Sequence, residues 1–114
     1  MKLVIAIIPP HRLENVKQEL YKAEVNLLTV NEVLGHGRQK GITEVYRSHK
    51  EAGSLLRKVK LEIAINEEFV KPTVEAILAG ARTGEGQIGD GKIFVFPAEE
   101  TIEIGPNRRG PEAV

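Results

Sequence analysis

The chain has 114 residues, 16 basic and 16 acidic side chains, no cysteine and 41% hydrophobic residues. That length suits one domain burying about 65% of the surface its unfolded form exposes, and is too short for two, so residues 1–114 are expected to form a single domain. The balanced charge draws it to neither nucleic acid nor an anionic membrane, and without a thiol there is neither a disulfide framework nor a thiolate metal site, which leaves the cytoplasm as the expected compartment.

In chain order, the apolar run Leu3 to Ile8 comes first, stopped by Pro9-Pro10. It is shorter than a signal-peptide core and reads as a buried strand. Leu13, Val16 and Leu20 then recur at helical spacing, and Leu27 to Leu34 reads as a second strand. A polar stretch from about His36 to Ser54 follows, with Gly37, Gly41 and Gly53 and little that packs. A loop of that length in a compact domain is usually functional or disordered. Lys60 to Ile65 is a third strand, and Val70, Val74, Ile77, Leu78 and Ala81 mark a second helix beginning just before Pro72, whose missing donor costs nothing in a first turn. Lys92 to Phe96 closes the sheet, and the tail from about Gly105 has turn and linker chemistry and is expected to fray.

Lys2 to Ile7 recurs as Lys60 to Ile65, 58 positions on, and the same offset carries Val16 to Val74 and Leu20 to Leu78. The order is therefore βαβ twice: the split βαβ of an α+β, ferredoxin-like sandwich, with an antiparallel sheet and both helices on one face. Val4, Ala6 and Ile8, with Phe94 and Phe96 or their neighbours, are expected to leave the other sheet face apolar. A second subunit is the simplest cover, in closed cyclic symmetry.

Three segments carry candidate chemistry. Gly35-His36-Gly37-Arg38-Gln39-Lys40-Gly41 offers amides and cations to phosphates, and reads equally as a mobile turn. Gly89-Asp90-Gly91-Lys92 permits close backbone approach beside a lysine, and also has the form of an ordinary β-turn. Lys58, Lys60 and Glu62 share one strand face, where a carboxylate among lysines either helps to bind an anion or satisfies itself. All three are expected to converge at one edge of the sheet as a nucleotide-sized anionic site. His11, His36 and His49 lack the close spacing of a metal site and read better as surface histidines. No nucleophile with a paired base and no carboxylate pair is visible, so an enzyme is not expected.

The run Val30 to Arg47, with Lys58-Val59-Lys60-Leu61-Glu62-Ile63 and Gly89-Asp90-Gly91-Lys92-Ile93-Phe94-Val95-Phe96, resembles the second strand and T-loop entry, the third strand and the B-loop exit of the PII nitrogen-regulatory signalling proteins, over residues 1 to about 104. The resemblance implies a homotrimer with nucleotide sites between subunits, where ATP and ADP compete and 2-oxoglutarate joins ATP and Mg2+. It implies a T-loop at about 36–55, a B-loop at about 82–90 and a tail from about 105 to 114. Carried over by position, Ile7, Thr29, Gly35, Gly37, Arg38, Glu62, Ala64, Gly89, Asp90, Gly91 and Lys92 line the nucleotide pocket. Gln39 meets the metal and, with Lys58, the oxoacid. Lys40, Glu44, Tyr46, Arg47, His49, Lys50 and Glu51 face the target protein, which in such families is a transporter met at the membrane, an enzyme or a regulator.

The sequence also departs from that pattern. Glu51 stands where the family's uridylylated tyrosine falls, and His49 where some relatives carry a phosphorylated serine, with Ser48 out of register. Regulation by modification is therefore not expected. The B-loop is two residues longer than usual, and Glu103 and Gly105 replace two arginines that relatives send to a neighbour's phosphates. A carboxylate facing phosphate disfavours a triphosphate most. The alternative reading is accordingly a divergent PII-like trimer sensing ADP, AMP, bicarbonate or a metal ion, with Arg108 and Arg109 as the available replacements for the missing cations.

Overall fold

The computed structural model describes residues 1–36 and 55–114. Strand β1 is Lys2–Ile8, helix α1 Leu13–Lys22, β2 Thr29–Gly35, β3 Leu56–Ile65, helix α2 Val70–Ala81 and β4 Lys92–Pro97. The four strands form one sheet in the order β2-β3-β1-β4, every neighbouring pair antiparallel. This is the ferredoxin-like α+β sandwich expected from the βαβ repeat.

The strands are rich in β-branched residues, as KLVIAII in β1 illustrates, and their alternation decides the faces. Val4, Ala6 and Ile8 of β1 and Val59, Leu61, Ile63 and Ile65 of β3 are buried, together with Val16 and Leu20 of α1 and Ala76, Ile77 and Ala81 of α2. They form one cluster between the sheet and the two helices. Val4, Ala6 and Ile8 therefore point into the core, opposite to the sequence expectation. The outward set is Leu3, Ile5 and Ile7, joined in register by Phe94 and Phe96, whose rings stack 6.3 Å apart.

The repeat explains the difference. Residues Pro10–Arg12 and Glu67–Phe69 form matching 3-10 turns, followed by helices starting at Leu13 and Val70, an offset of 57 rather than 58. Arg12 and Phe69 even share φ −97° and ψ −4°. The offset of 58 maximises letter matches but is one residue out, and one residue turns every strand side chain to the other face.

The α2 stripe is also rotated from the one expected. Thr73, Ala76, Ile77, Gly80 and Ala81 are buried, whereas Leu78 is 41% exposed on the outer shoulder. Helix α1 ends in a Schellman arrangement: the Val25 amide donates to the Leu20 carbonyl and the Glu24 amide to that of Tyr21, with Glu24 left-handed at φ 62°.

Candidate functional site

Antiparallel pairing brings the ends of β1 and β2 and the starts of β3 and β4 to one end of the sheet. There Ile7 lies in register between Lys60 on β3 and Lys92 on β4, and Gly35 packs beside Lys58, where an added Cβ would be 3.3 Å from the lysine Cγ. Gly91 enters β4 with φ 117°, and a side chain there would overlap the Ile7 carbonyl oxygen, so only glycine lets the strand begin at this point. A cavity of about 470 Å³ at this end is lined by Pro9, Pro10, His11, Leu56, Arg57 and Lys58 together with Thr83 and Gln87 to Asp90.

The loop from Thr83 to Asp90 is built around one carboxylate. Asp90 accepts the Thr83 amide at 2.9 Å, the Thr83 hydroxyl at 2.6 Å and the Gln87 amide at 2.9 Å. Desolvation raises its pKa, but the Thr83 and Gln87 hydrogen bonds and the Arg12 charge outweigh it and hold the carboxyl below its ordinary range. Arg12 also donates from Nε to the Gly80 carbonyl at 3.0 Å and from Nη2 to that of Arg82 at 3.4 Å, placing a cation on the last carbonyls of α2.

Thr29, Glu62 and Ala64 lie elsewhere. Thr29 and Glu62 face each other across β2 and β3, and with Ala64 they line a separate cavity of about 460 Å³ completed by Leu3, Leu27, Leu28, Ala113 and Val114. The Lys60 ammonium stands 3.3 Å from the Glu62 carboxylate, both about one-third exposed. From Thr29 to Gly35 the strand runs about 20 Å, so Thr29 and Ala64 lie well away from Gly35 and the loop at 83–90, with Glu62 between them, next along β3 to Lys60 on its face of the sheet. Gly37, Arg38, Gln39, Lys40, Glu44, Tyr46, Arg47, His49, Lys50 and Glu51, and with them most of the expected T-loop, lie outside the described residues.

The tail folds back on its own chain. Residues 101–110 make a short hairpin in which Glu103 and Arg108 exchange backbone and side-chain contacts, Arg109 binds Glu100 at 2.7 Å and Asn107 turns at φ 61°. The Arg108 hydrogen bond depresses the Glu103 pKa and raises that of Arg108. Both tail arginines thus meet carboxylates of their own chain. Among the described residues, no cluster of three His, Cys, Asp or Glu side chains is placed to hold a metal, and no helix is long and apolar enough to cross a membrane.

Sequence reasoning did not single out Thr83 or Arg12. Thr83 carried a signal, a hydroxyl residue opening a glycine-rich loop seven positions before an aspartate. Arg12 carried none, because its partners are backbone carbonyls 68 and 70 positions away.

Fold and strand-end geometry define a small ferredoxin-like sandwich with a glycine-rich, basic strand end. Comparison with known proteins narrows the class. Residues 1–108 match the family model "Nitrogen regulatory protein P-II". The chain is 54% identical over 114 residues to nitrogen regulatory protein GlnK1 of Methanosarcina mazei, covering 100% of this chain and 97% of that protein. It is 48% identical to nitrogen regulatory protein P-II of Rhizobium etli over the full length of both. A crystal structure of Arabidopsis thaliana PII bound to citrate superposes with a TM-score of 0.77 at 33% identity, covering 98% of this chain and 87% of that one. The chain belongs to the P-II nitrogen regulatory protein family, a family of regulators rather than enzymes.

Proposed function

We propose that the chain is a single-domain, cytoplasmic, non-enzymatic regulator that works as a homotrimer. It binds adenine nucleotide in clefts between subunits and reports their occupancy to a target protein through residues 36–55. The observation that carries this reading is the separation of the two site groups. Ile7, Gly35 and Gly89 to Lys92 stand at one end of the sheet and Thr29 and Ala64 toward the other, with Glu62 between. A pocket between two copies, each supplying one group, lets a ligand meet both. The outward apolar set Leu3, Ile5, Ile7, Phe94 and Phe96 supports association, because burying it removes a patch that water disfavours.

In this reading the loop at 82–90 and Lys92 hold phosphates, together with Gly37 and Arg38. Lys58 and Gln39 take 2-oxoglutarate, with Mg2+ held by Gln39 and phosphate oxygens. Lys40, Glu44, Tyr46, Arg47, His49, Lys50 and Glu51 meet the target, including a transporter at the membrane surface. A second reading is favoured by the tail: Glu103 and Gly105 replace two cations, while Arg108 and Arg109 are engaged by Glu103 and Glu100. A diphosphate or monophosphate is then preferred to ATP.

Light scattering on the purified chain and calorimetric titration with ATP, ADP and AMP, with and without 2-oxoglutarate and Mg2+, test the proposal. A trimer mass and ADP binding at least as tight as ATP are expected. A monomer that takes up none of these ligands overturns it.

A further inference from the structure

We propose that Asp90 is a positioning residue and that, with Thr83 and Arg12, it forms a latch fixing residues 83–90 in the shape that receives the anion. The inference rests on the nucleotide reading of this loop and concerns how the loop keeps its form.

The need for a latch follows from composition. Gly84, Gly86 and Gly89 take φ of 57°, 113° and 103°, conformations that glycine permits and a free glycine-rich chain does not hold. Two turns are closed within the loop, from the Gly86 amide to the Thr83 carbonyl at 2.9 Å and from the Asp90 amide to the Gln87 carbonyl at 3.2 Å. Neither joins the loop's two ends. The Asp90 carboxylate does, by accepting both the amide and the hydroxyl of Thr83, and it takes the Gln87 amide as well. Three of its roughly four lone-pair sites are then filled by charge-assisted bonds.

Arg12 ties this ring to the helices. Its guanidinium holds the Gly80 and Arg82 carbonyls where α2 runs into the loop, and its charge favours the ionised Asp90. The amides of Ile88 and Gly89 keep no hydrogen-bond partner among the described residues. Held at fixed positions, they are donors for an anion, and a loop already ordered forfeits less entropy on binding. In this scheme the Asp90 carboxylate acts through the loop, its oxygens engaged by Thr83 and Gln87, while the backbone of the loop meets the ligand.

The test separates the latch from direct contact by changing Thr83 instead of Asp90. In the full chain, Thr83→Val removes the hydroxyl bond at nearly constant shape, and Thr83→Ser keeps it. ADP affinity by calorimetry and amide exchange at Gly86 and Gln87 in the unliganded protein are the two readouts. Thr83→Val should weaken ADP about tenfold and speed exchange at both amides, with Thr83→Ser close to wild type in both. Wild-type ADP affinity in Thr83→Val, or a serine variant as impaired as the valine variant, overturns the latch. Should the wild type itself take up no ADP, the nucleotide reading fails and exchange alone decides. Faster exchange in Thr83→Val but not in Thr83→Ser then supports the latch, and unchanged exchange overturns it.

Discussion

A methyl group added at Gly80 would stand 2.5 Å from the Cα of Val16 and 2.8 Å from its nitrogen. Both residues are fully or almost fully buried, at the contact between α2 and α1. Because the obstruction is backbone, no side-chain rotation relieves it, and Gly80→Ala must push the helices apart. Alanine's better helix propensity, worth about 1 kcal/mol, is outweighed. Urea denaturation should show a net loss of about 2 kcal/mol; an unchanged or higher midpoint would mean the helices do not meet as described.

Thr73 occupies the place in α2 that Val16 holds in α1, under the offset of 57. It is fully buried, and its hydroxyl has no hydrogen-bond partner among the described residues. A buried hydroxyl without a partner costs about 1–3 kcal/mol, while valine keeps the same outline. Thr73→Val should therefore stabilise the protein by about 1 kcal/mol in the same assay. A destabilised variant would show that the hydroxyl is satisfied after all.

These two residues mark where the sequence was legible and where it was not. Strand and helix order followed from alternation and helical spacing, and the doubled βαβ named the fold. The register of the repeat did not follow, since matching letters at 58 conceal a structural match at 57, and with it went the faces of β1. Nor did the helix stripe: Thr73 and Gly80 look polar or neutral in sequence and are buried because close helix packing requires small residues there. Of the candidate residues, Gly35, Lys58 and Lys92 are ones that the fold does bring to the same strand end. The distribution of the others along the sheet depends on register, which short motifs do not encode. Within the two matching turns the side chains take different partners: Asn66, in the place of Pro9, donates to the Pro111 carbonyl at 3.0 Å and holds the tail, while Arg12, in the place of Phe69, holds the loop at 83–90. The repeat supplies two similar corners, and divergence gives each its own segment to anchor.

Glu24 closes α1 with a left-handed backbone that L-residues adopt at a cost of about 1–2 kcal/mol. Its side chain is exposed, and no ion pair or hydrogen bond engages it among the described residues. Glycine removes the strain but adds freedom to the unfolded chain, which returns up to about 1 kcal/mol. Glu24→Gly should thus gain about 0.5 kcal/mol, seen as a higher urea midpoint at an unchanged slope. A lower midpoint would assign Glu24 a contact that its geometry does not suggest.

The ionisation of Asp90 gives the loop a defined response to acid. Its folded pKa lies below the ordinary aspartate value, since the Thr83 and Gln87 hydrogen bonds and the Arg12 charge outweigh desolvation. A depressed carboxyl favours the folded loop fully at pH above the unfolded aspartate value of about 3.9. That contribution fades as pH falls through the folded value, and it is constant from neutrality down to the ordinary carboxylate range. The Thr83 amide resonance reports the bond directly and should stay fixed from pH 7 to 5, moving only below the usual aspartate midpoint. Asp90→Asn should abolish the movement. His11→Gln, which removes an imidazole lining the same cavity, should leave it in place. A Thr83 amide that titrates above the ordinary aspartate range, or that follows His11, would show that Asp90 is not the group closing the loop.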